Sequence, residues 1–149
     1  MLERILELVR RKRLCALATT DGITPHCSLM AYVPDESACG LVMVTRASTR
    51  KYRNLEANPK ASVLIDTRDE MEAGRPFQIT ALTAAGEVSL HEPASEVEAL
   101  GRFLDTHPDL TGLTTHPEAR VLRLRVKSFL LLDGVGKATY LEVPDPKKT

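Results

Sequence analysis

Residues 41–66 read LVMVTRASTRKYRNLEANPKASVLID. The first six residues, LVMVTR, are β-branched and apolar enough for a strand. The period then changes. Residues 49–57, TRKYRNLEA, have the spacing of a short helix, and Asn58-Pro59 stops it because the residue before proline is pushed out of the helical region. Residues 61–66, ASVLID, return to strand character. A helix N-terminus presents unpaired amides and a partial positive charge, which suit an anion. Arg50 and Lys51 stand in that first turn, with Thr45, Ser48 and Thr49 as hydroxyl donors. Cations at a helix start oppose the helix dipole, so something else holds them there. Two readings remain open: a bound phosphate-like anion, or a solvated face whose cations pair with Glu56 or Asp66.

The flanking sequence completes an alternating pattern. Residues 2–12 form an amphipathic helix with Leu2, Ile5, Leu6 and Val9 on one side. Residues 14–20, LCALATT, are apolar on both faces, as in a buried strand. Asp21-Gly22 makes a turn, and 24–33 completes a hairpin. Pro34 to Gly40 carry a second turn. The charged stretch 67–75 reads as a loop. Residues 76–90 form a long strand in which Gly86 marks a bulge or bend. Ser95-Glu96-Val97-Glu98 has a capping-box pattern ahead of a helix with Val97, Leu100 and Leu104 in its stripe. Residues 106–118 read as a Thr-rich loop with two His-Pro pairs. Residues 120–126 alternate, with Leu122, Leu124 and Val126 inward and Arg123 and Arg125 outward. A last strand covers about 136–143. Six or seven strands joined mostly as hairpins, with three helices, make an α+β fold, mainly β: an antiparallel sheet or barrel with helices at its edges.

Composition narrows the function classes. The chain has 149 residues, 43% hydrophobic and 27% charged. That is one domain, 1–149, by the prior of roughly 100–200 residues per domain. Lys+Arg and Asp+Glu are 20 each. A balanced charge argues against a nucleic-acid binder, and 4% aromatic residues with no Trp argue against a base-stacking platform. Cys15, Cys27 and Cys39 form no Cys-x-x-Cys pair and no zinc spacing. No stretch is long and apolar enough for a membrane helix, and Met-Leu-Glu-Arg at the start has no signal-peptide pattern. The expectation is a reduced, cytoplasmic protein without a metal site.

The order of strand, Thr45, loop, Arg50-Lys51, the helix YRNLEANP and then ASVLID resembles the FMN-binding split β-barrel family related to pyridoxamine 5′-phosphate oxidase. LCALATT, the Asp-Gly turn and PHCSLMAYV resemble that family's first hairpin. LRVKSFLLLDGVGKATYLEV resembles the last two strands of its smaller members. The resemblance implies a six-stranded antiparallel Greek-key split barrel with flanking helices, and a homodimer with FMN at its interface. It implies that Arg50 and Lys51 hold the FMN phosphate with Thr45 and Ser48 beside them. Val44 and Thr45 would pass the ribityl chain and ring. His26, Cys27, Ser28, Leu29 and Met30 would line the isoalloxazine with backbone groups. Gln78, from the other subunit, would reach the flavin, and Arg68 or Arg75 would edge the pocket.

Members that oxidise the vitamin B6 phosphate carry Arg and Lys where this chain has His26 to Ala31, and they have a longer C-terminal part. The resemblance therefore implies an FMN-dependent oxidoreductase with another, unknown substrate and no assigned catalytic residue. The alternative is a flavin- or haem-binding or sensing protein without turnover. His107 or His116 is its candidate haem ligand, although His before Pro also ends structural elements, and His26 is open to a functional role or to hydrogen-bonded structure.

Overall fold

The computed structural model describes residues 1–71 and 78–145. The chain runs α1 (Leu2–Arg11), β1 (Leu14–Thr20), β2 (Pro25–Ala31), β3 (Val33–Pro34), β4 (Gly40–Arg46), α2 (Arg50–Ala57), β5 (Lys60–Asp66), β6 (Thr80–His91), α3 (Val97–Thr106), α4 (Thr111–Thr114), β7 (Ala119–Asp133) and β8 (Ala138–Glu142). The strands form one antiparallel sheet in the order β2-β1-β5-β6-β7-β4-β3, with β8 on the second half of β7. The two ends of that order, β2 and β3, are separated by Tyr32 alone. The sheet therefore curls until its ends meet at one residue. Counting β2 and β3 as one bent strand gives the six staves of a split barrel, and β8 is an extra strand.

Tyr32 holds this joint. It is fully buried. Its N–H donates to the Arg13 carbonyl at 3.1 Å. Its hydroxyl donates to the Val9 carbonyl of α1 at 2.7 Å, and its own carbonyl accepts from His107 Nε2 at 2.9 Å.

The barrel interior holds Leu17, Met43, Ile65, Leu82, Leu122 and Phe129, and Ile5, Leu8 and Val9 of α1 bury their apolar stripe in the same core. A second cluster lies outside the barrel, where α3 covers one patch of sheet. It joins Val33, Val42, Val44, Ala119 and Val121 to Ala99 and Phe103.

Several boundaries differ from the sequence reading. The strand expected at 120–126 extends to Asp133. Its alternation reverses part-way: Leu122, Leu124 and Val126 point inward, then Phe129 and Leu131. The cause is the bulge expected at Gly86. Gly86 pairs with Val126 and Ala85 with Ser128, so Lys127 has no partner on β6. A Cβ on Gly86 would lie 1.9 Å from the Arg125 carbonyl oxygen, so only glycine permits this approach. The expected loop at 106–118 contains a 3-10 turn and α4. The capping box does not form. Glu96 is the N-cap of α3 without a side-chain cap, and the Ser95 hydroxyl donates to the Glu92 carbonyl. β1 is buried on one face only: Cys15, Leu17 and Thr19 are inside, while Ala16 and Ala18 are half-exposed.

Candidate functional site

β4 leaves the barrel at Arg46, and the chain turns into α2 at Thr49. The Thr49 hydroxyl oxygen accepts from the Tyr52 N–H at 3.4 Å and donates to the Arg46 carbonyl at 2.9 Å. Thr45, buried at the end of β4, shares a hydroxyl contact of 3.1 Å with Thr49. Asn54, one turn further along α2, donates its amide to Thr19 Oγ1 at 3.1 Å. Thr19 pairs with His26 across β1 and β2, and Ser28 Oγ lies 3.3 Å from His26 Nε2. The end of β4, the start of α2 and the first half of β2 thus meet at one end of the barrel.

Arg50 and Lys51 are the cations of this corner. The pairing with Glu56 or Asp66 does not occur. Asp66 is bound by Arg68, and among the described residues neither Arg50 nor Lys51 has a hydrogen bond or ion pair. Lys51 is half-buried, and burial alone holds its ammonium below the usual lysine range. Arg50 is exposed. Its charge is the smallest contributor to the lowered pKa of Asp21 in the β1–β2 turn, after the N–H bonds of Thr24 and Ile23. The amides at the first turn of α2 have no intrahelical partners, as at any helix start. An unpaired, desolvated ammonium beside a guanidinium and open amides is chemically suited to a phosphate-sized dianion.

The other expected residues divide. His26, Ser28 and Met30 alternate with Cys27 and Leu29, so the run 26–30 presents two faces. Met30 is in the barrel core, while Cys27 and Leu29 are exposed on the outer face. β2 is the end strand of the sheet, paired on one side only by β1. Its second edge offers backbone donors and acceptors, which is the kind of contact expected for 26–30. The Val44 side chain packs beneath α3 in the second core cluster. Ser48 is engaged elsewhere: its hydroxyl donates to Glu118 Oε2 at 2.9 Å. No local pattern points to that carboxylate, which lies 70 residues away along the chain.

Gln78 is exposed and lies just before β6, which starts at Thr80. It sits beside the Asp66 end of β5, which the Ala16–Leu64 register places near Leu14. Thr19 and α2 lie at the opposite end of β1. One chain therefore does not bring Gln78 to Arg50 and Lys51. Arg68 is at the same far end, in an ion pair with Asp66. Arg75, and residues 76–77 of the expected long strand, lie outside the described residues.

His107 ends α3, and its ring is committed to Tyr32 and packs against Phe103 with centroids 4.9 Å apart. His116 Nδ1 accepts the Glu118 N–H at 3.0 Å in the turn before β7. Both do the structural work of ending an element. Among the described residues no group of His, Cys, Asp and Glu could hold a metal ion, and no helix is long and apolar enough to cross a membrane.

Residues 1–133 match the family described as pyridoxamine 5′-phosphate oxidase. Comparison with curated proteins gives no match. Among solved structures, the chain is similar to a haem-binding protein from Mycobacterium smegmatis. That match has a TM-score of 0.78 and 21% identity, over 92% of this chain and 57% of the other. The chain thus spans little more than half of that protein. It is also similar to HutZ, the haem storage protein from Vibrio cholerae, with a TM-score of 0.70 and 22% identity over 92% of each chain. A third similar structure is General Stress Protein 26 from Bacillus anthracis, with a TM-score of 0.69 and 17% identity over 95% and 98% of the two chains. At these identities the likeness is one of fold.

Proposed function

This chain belongs to the pyridoxamine 5′-phosphate oxidase family, and from that premise we propose that it binds FMN between two copies of itself and acts as an oxidoreductase on a small substrate other than the vitamin B6 phosphate. The observation that carries the reading is Lys51. A half-buried ammonium with no anionic partner among the described residues, its pKa lowered by burial, is costly unless an anion arrives. In this reading Arg50 and Lys51 take the phosphate. Thr45 acts through Thr49, fixing the start of α2. The open edge of β2 from His26 to Met30 takes the polar rim of the ring. Flavin, when bound, supplies hydride or one-electron chemistry, and the protein binds, orients and tunes it.

Two features support the dimer in this reading, which takes Gln78 to reach the flavin. Gln78 and the Arg50–Lys51 corner are at opposite ends of β1, so they reach one flavin only from different copies. The outer face of β1 and β2 carries Ala16, Ala18, Cys27 and Leu29, and Leu29 is 76% exposed. A second copy laid on that face would remove apolar surface from water, and a stable pair buries at least ~1,200 Å² in total.

The second reading, haem binding without turnover, draws on the two haem-associated neighbours and on His26. With His107 and His116 committed within the fold and His91 set against Ser89 on β6, His26 at the mouth of the site is the ring placed to reach an iron there. The test is a titration of the apoprotein with FMN, riboflavin and haemin, read by visible spectrum and by light scattering. The proposal expects a flavin spectrum, preference for FMN over riboflavin and a dimer. A Soret band with no FMN binding, or flavin bound by a monomer, overturns it. Oxidation of a reduced nicotinamide by the loaded protein then separates enzyme from carrier.

A further inference from the structure

On the outer face of the sheet, next to the start of α3, three side chains form a chain of contacts that the flavin site does not use. Ser89 and His91 alternate along β6 on the same face, with Ser89 opposite Arg123 of β7. Ser89 Oγ lies 2.7 Å from His91 Nε2. The other ring nitrogen, Nδ1, lies 3.6 Å from Glu96 Oε1. Glu96 is 9% exposed. Its carboxylate is fixed by Arg123, whose Nε donates to Oε1 at 2.9 Å and whose terminal nitrogen contacts Oε2. A hydroxyl within hydrogen-bond reach of an imidazole, whose second nitrogen faces a held carboxylate just beyond hydrogen-bond distance, has the order of groups that activates a nucleophilic serine.

The hydroxyl also has somewhere to act. Ser89 lines a groove of about 580 Å³ between β7, β8 and the β3–β4 turn. Tyr140 and Val143 give the groove an apolar wall, and Arg125 lies within it. Arg125 sits two residues along β7 from the partner of Ser89, diagonal to it. Its side chain is exposed and, among the described residues, makes no hydrogen bond or ion pair, with Glu87 opposite it on β6.

We propose that Ser89, His91 and Glu96 form an acyl-transfer site that hydrolyses short-chain esters, with Ser89 as nucleophile, His91 as general base and Glu96 as the positioning residue. The Ser89 oxygen adds to the carbonyl carbon, and its proton passes to His91 Nε2. The carbon–oxygen bond of the ester breaks, and that proton leaves with the alcohol. Water then adds to the acyl-serine, gives a proton to His91 and releases the acid, restoring Ser89. Ester and water become acid and alcohol with no change of oxidation state. The acyl chain lies along Tyr140 and Val143, and an acidic substituent on the substrate pairs with Arg125.

The test uses the full chain, without added flavin, and phenylmethylsulfonyl fluoride followed by intact mass and peptide mapping. One sulfonyl group is expected on Ser89, with hydrolysis of p-nitrophenyl butyrate lost in parallel. Ser89→Ala abolishes both. Ser89 is exposed, so an unchanged melting temperature confirms that the fold persists. His91→Gln slows labelling by at least ~100-fold, the range of a general base. Glu96→Gln moves the pH midpoint of labelling downward, which a purely structural role would not do. A wild-type chain unlabelled at Ser89, or His91→Gln labelled at the wild-type rate, overturns the proposal. None of these readouts depends on flavin, so the flavin reading fails or stands separately.

Discussion

The Asn54 amide donates to Thr19 Oγ1 at 3.1 Å, and both residues are buried. This is the bolt between α2 and the barrel wall, and it fixes the height at which Arg50 and Lys51 stand above β1. Asn54→Ala leaves Thr19 without its partner. A buried polar group that loses its partner costs about 1–3 kcal/mol. For a domain of this size, each kcal/mol lowers Tm by about 2–4 °C. Calorimetry checks the Tm. The same variant should weaken anion binding without removing a charge.

The phosphate corner predicts ligand selectivity. Arg50→Ala and Lys51→Ala should each weaken FMN by about ten- to a hundredfold, from charge-assisted contacts of roughly 1.5–3 kcal/mol. Riboflavin, lacking the phosphate, should change little, as fluorescence quenching of the flavin will report. Equal losses for both ligands would mean damage to the fold rather than to an anion site.

Glu118 supplies a test of opposite sign. Its carboxylate holds the Ser48 hydroxyl. Glu118→Gln removes a negative charge and loosens that hold, so FMN should bind more tightly, by several-fold, in the same titration. Unchanged or weaker affinity would show that Ser48 takes no part.

Two glycines separate close approach from mere flexibility. Gly86→Ala drives a methyl group into the Arg125 carbonyl, at a cost of at least ~2 kcal/mol as overpacking. Gly101 lies inside α3 with open space around its Cβ position, so Gly101→Ala should stabilise by about 0.5–1 kcal/mol. Urea melts of the two variants should move in opposite directions.

Stability against pH should carry the mark of Glu96. The Arg123 hydrogen bonds hold its carboxyl below the ordinary value of about 4.5. A depressed carboxylate stabilises the fold above its unfolded pKa, and that stability is lost as pH falls through the folded one. In Glu96→Gln the fall in Tm between pH 5 and the acid limb should be shallower than in the wild type, by ~1 °C or more.

The stretch 41–66 carried most of what the sequence disclosed. Its change of period places β4, α2 and β5 within a residue of their ends, and Arg50-Lys51 falls at the helix start as read. Gly86 likewise marks its bulge. The consequence of that bulge was hidden. Extra residue Lys127 reverses the alternation of β7, so the pattern that defines 120–126 stops there while the strand runs on to Asp133. The run 26–30 sends its side chains to opposite faces, as a strand must, and only its backbone edge is common to all five residues. Ser48–Glu118 joins residues far apart in the chain and has no local pattern. Ser89 and His91 had no such sign, because the strand read from the sequence ends at residue 90 while β6 runs on to His91, and Glu96 reaches them only because the capping box does not form.

Tyr32 makes the barrel a closed loop of dependencies. Its amide, carbonyl and hydroxyl are each spoken for by a different part of the chain, namely Arg13, His107 and Val9. Releasing any one loosens the seam where the first and last staves meet. Amide exchange at residue 32 therefore reports on the ring as a whole. Its protection tracks global opening, whereas the free edge of β2, a few residues earlier, exchanges through local fraying. The chain thus places its most permanent joint beside its most yielding edge, and a ligand seated on that edge inherits a rigid hinge without being enclosed by it.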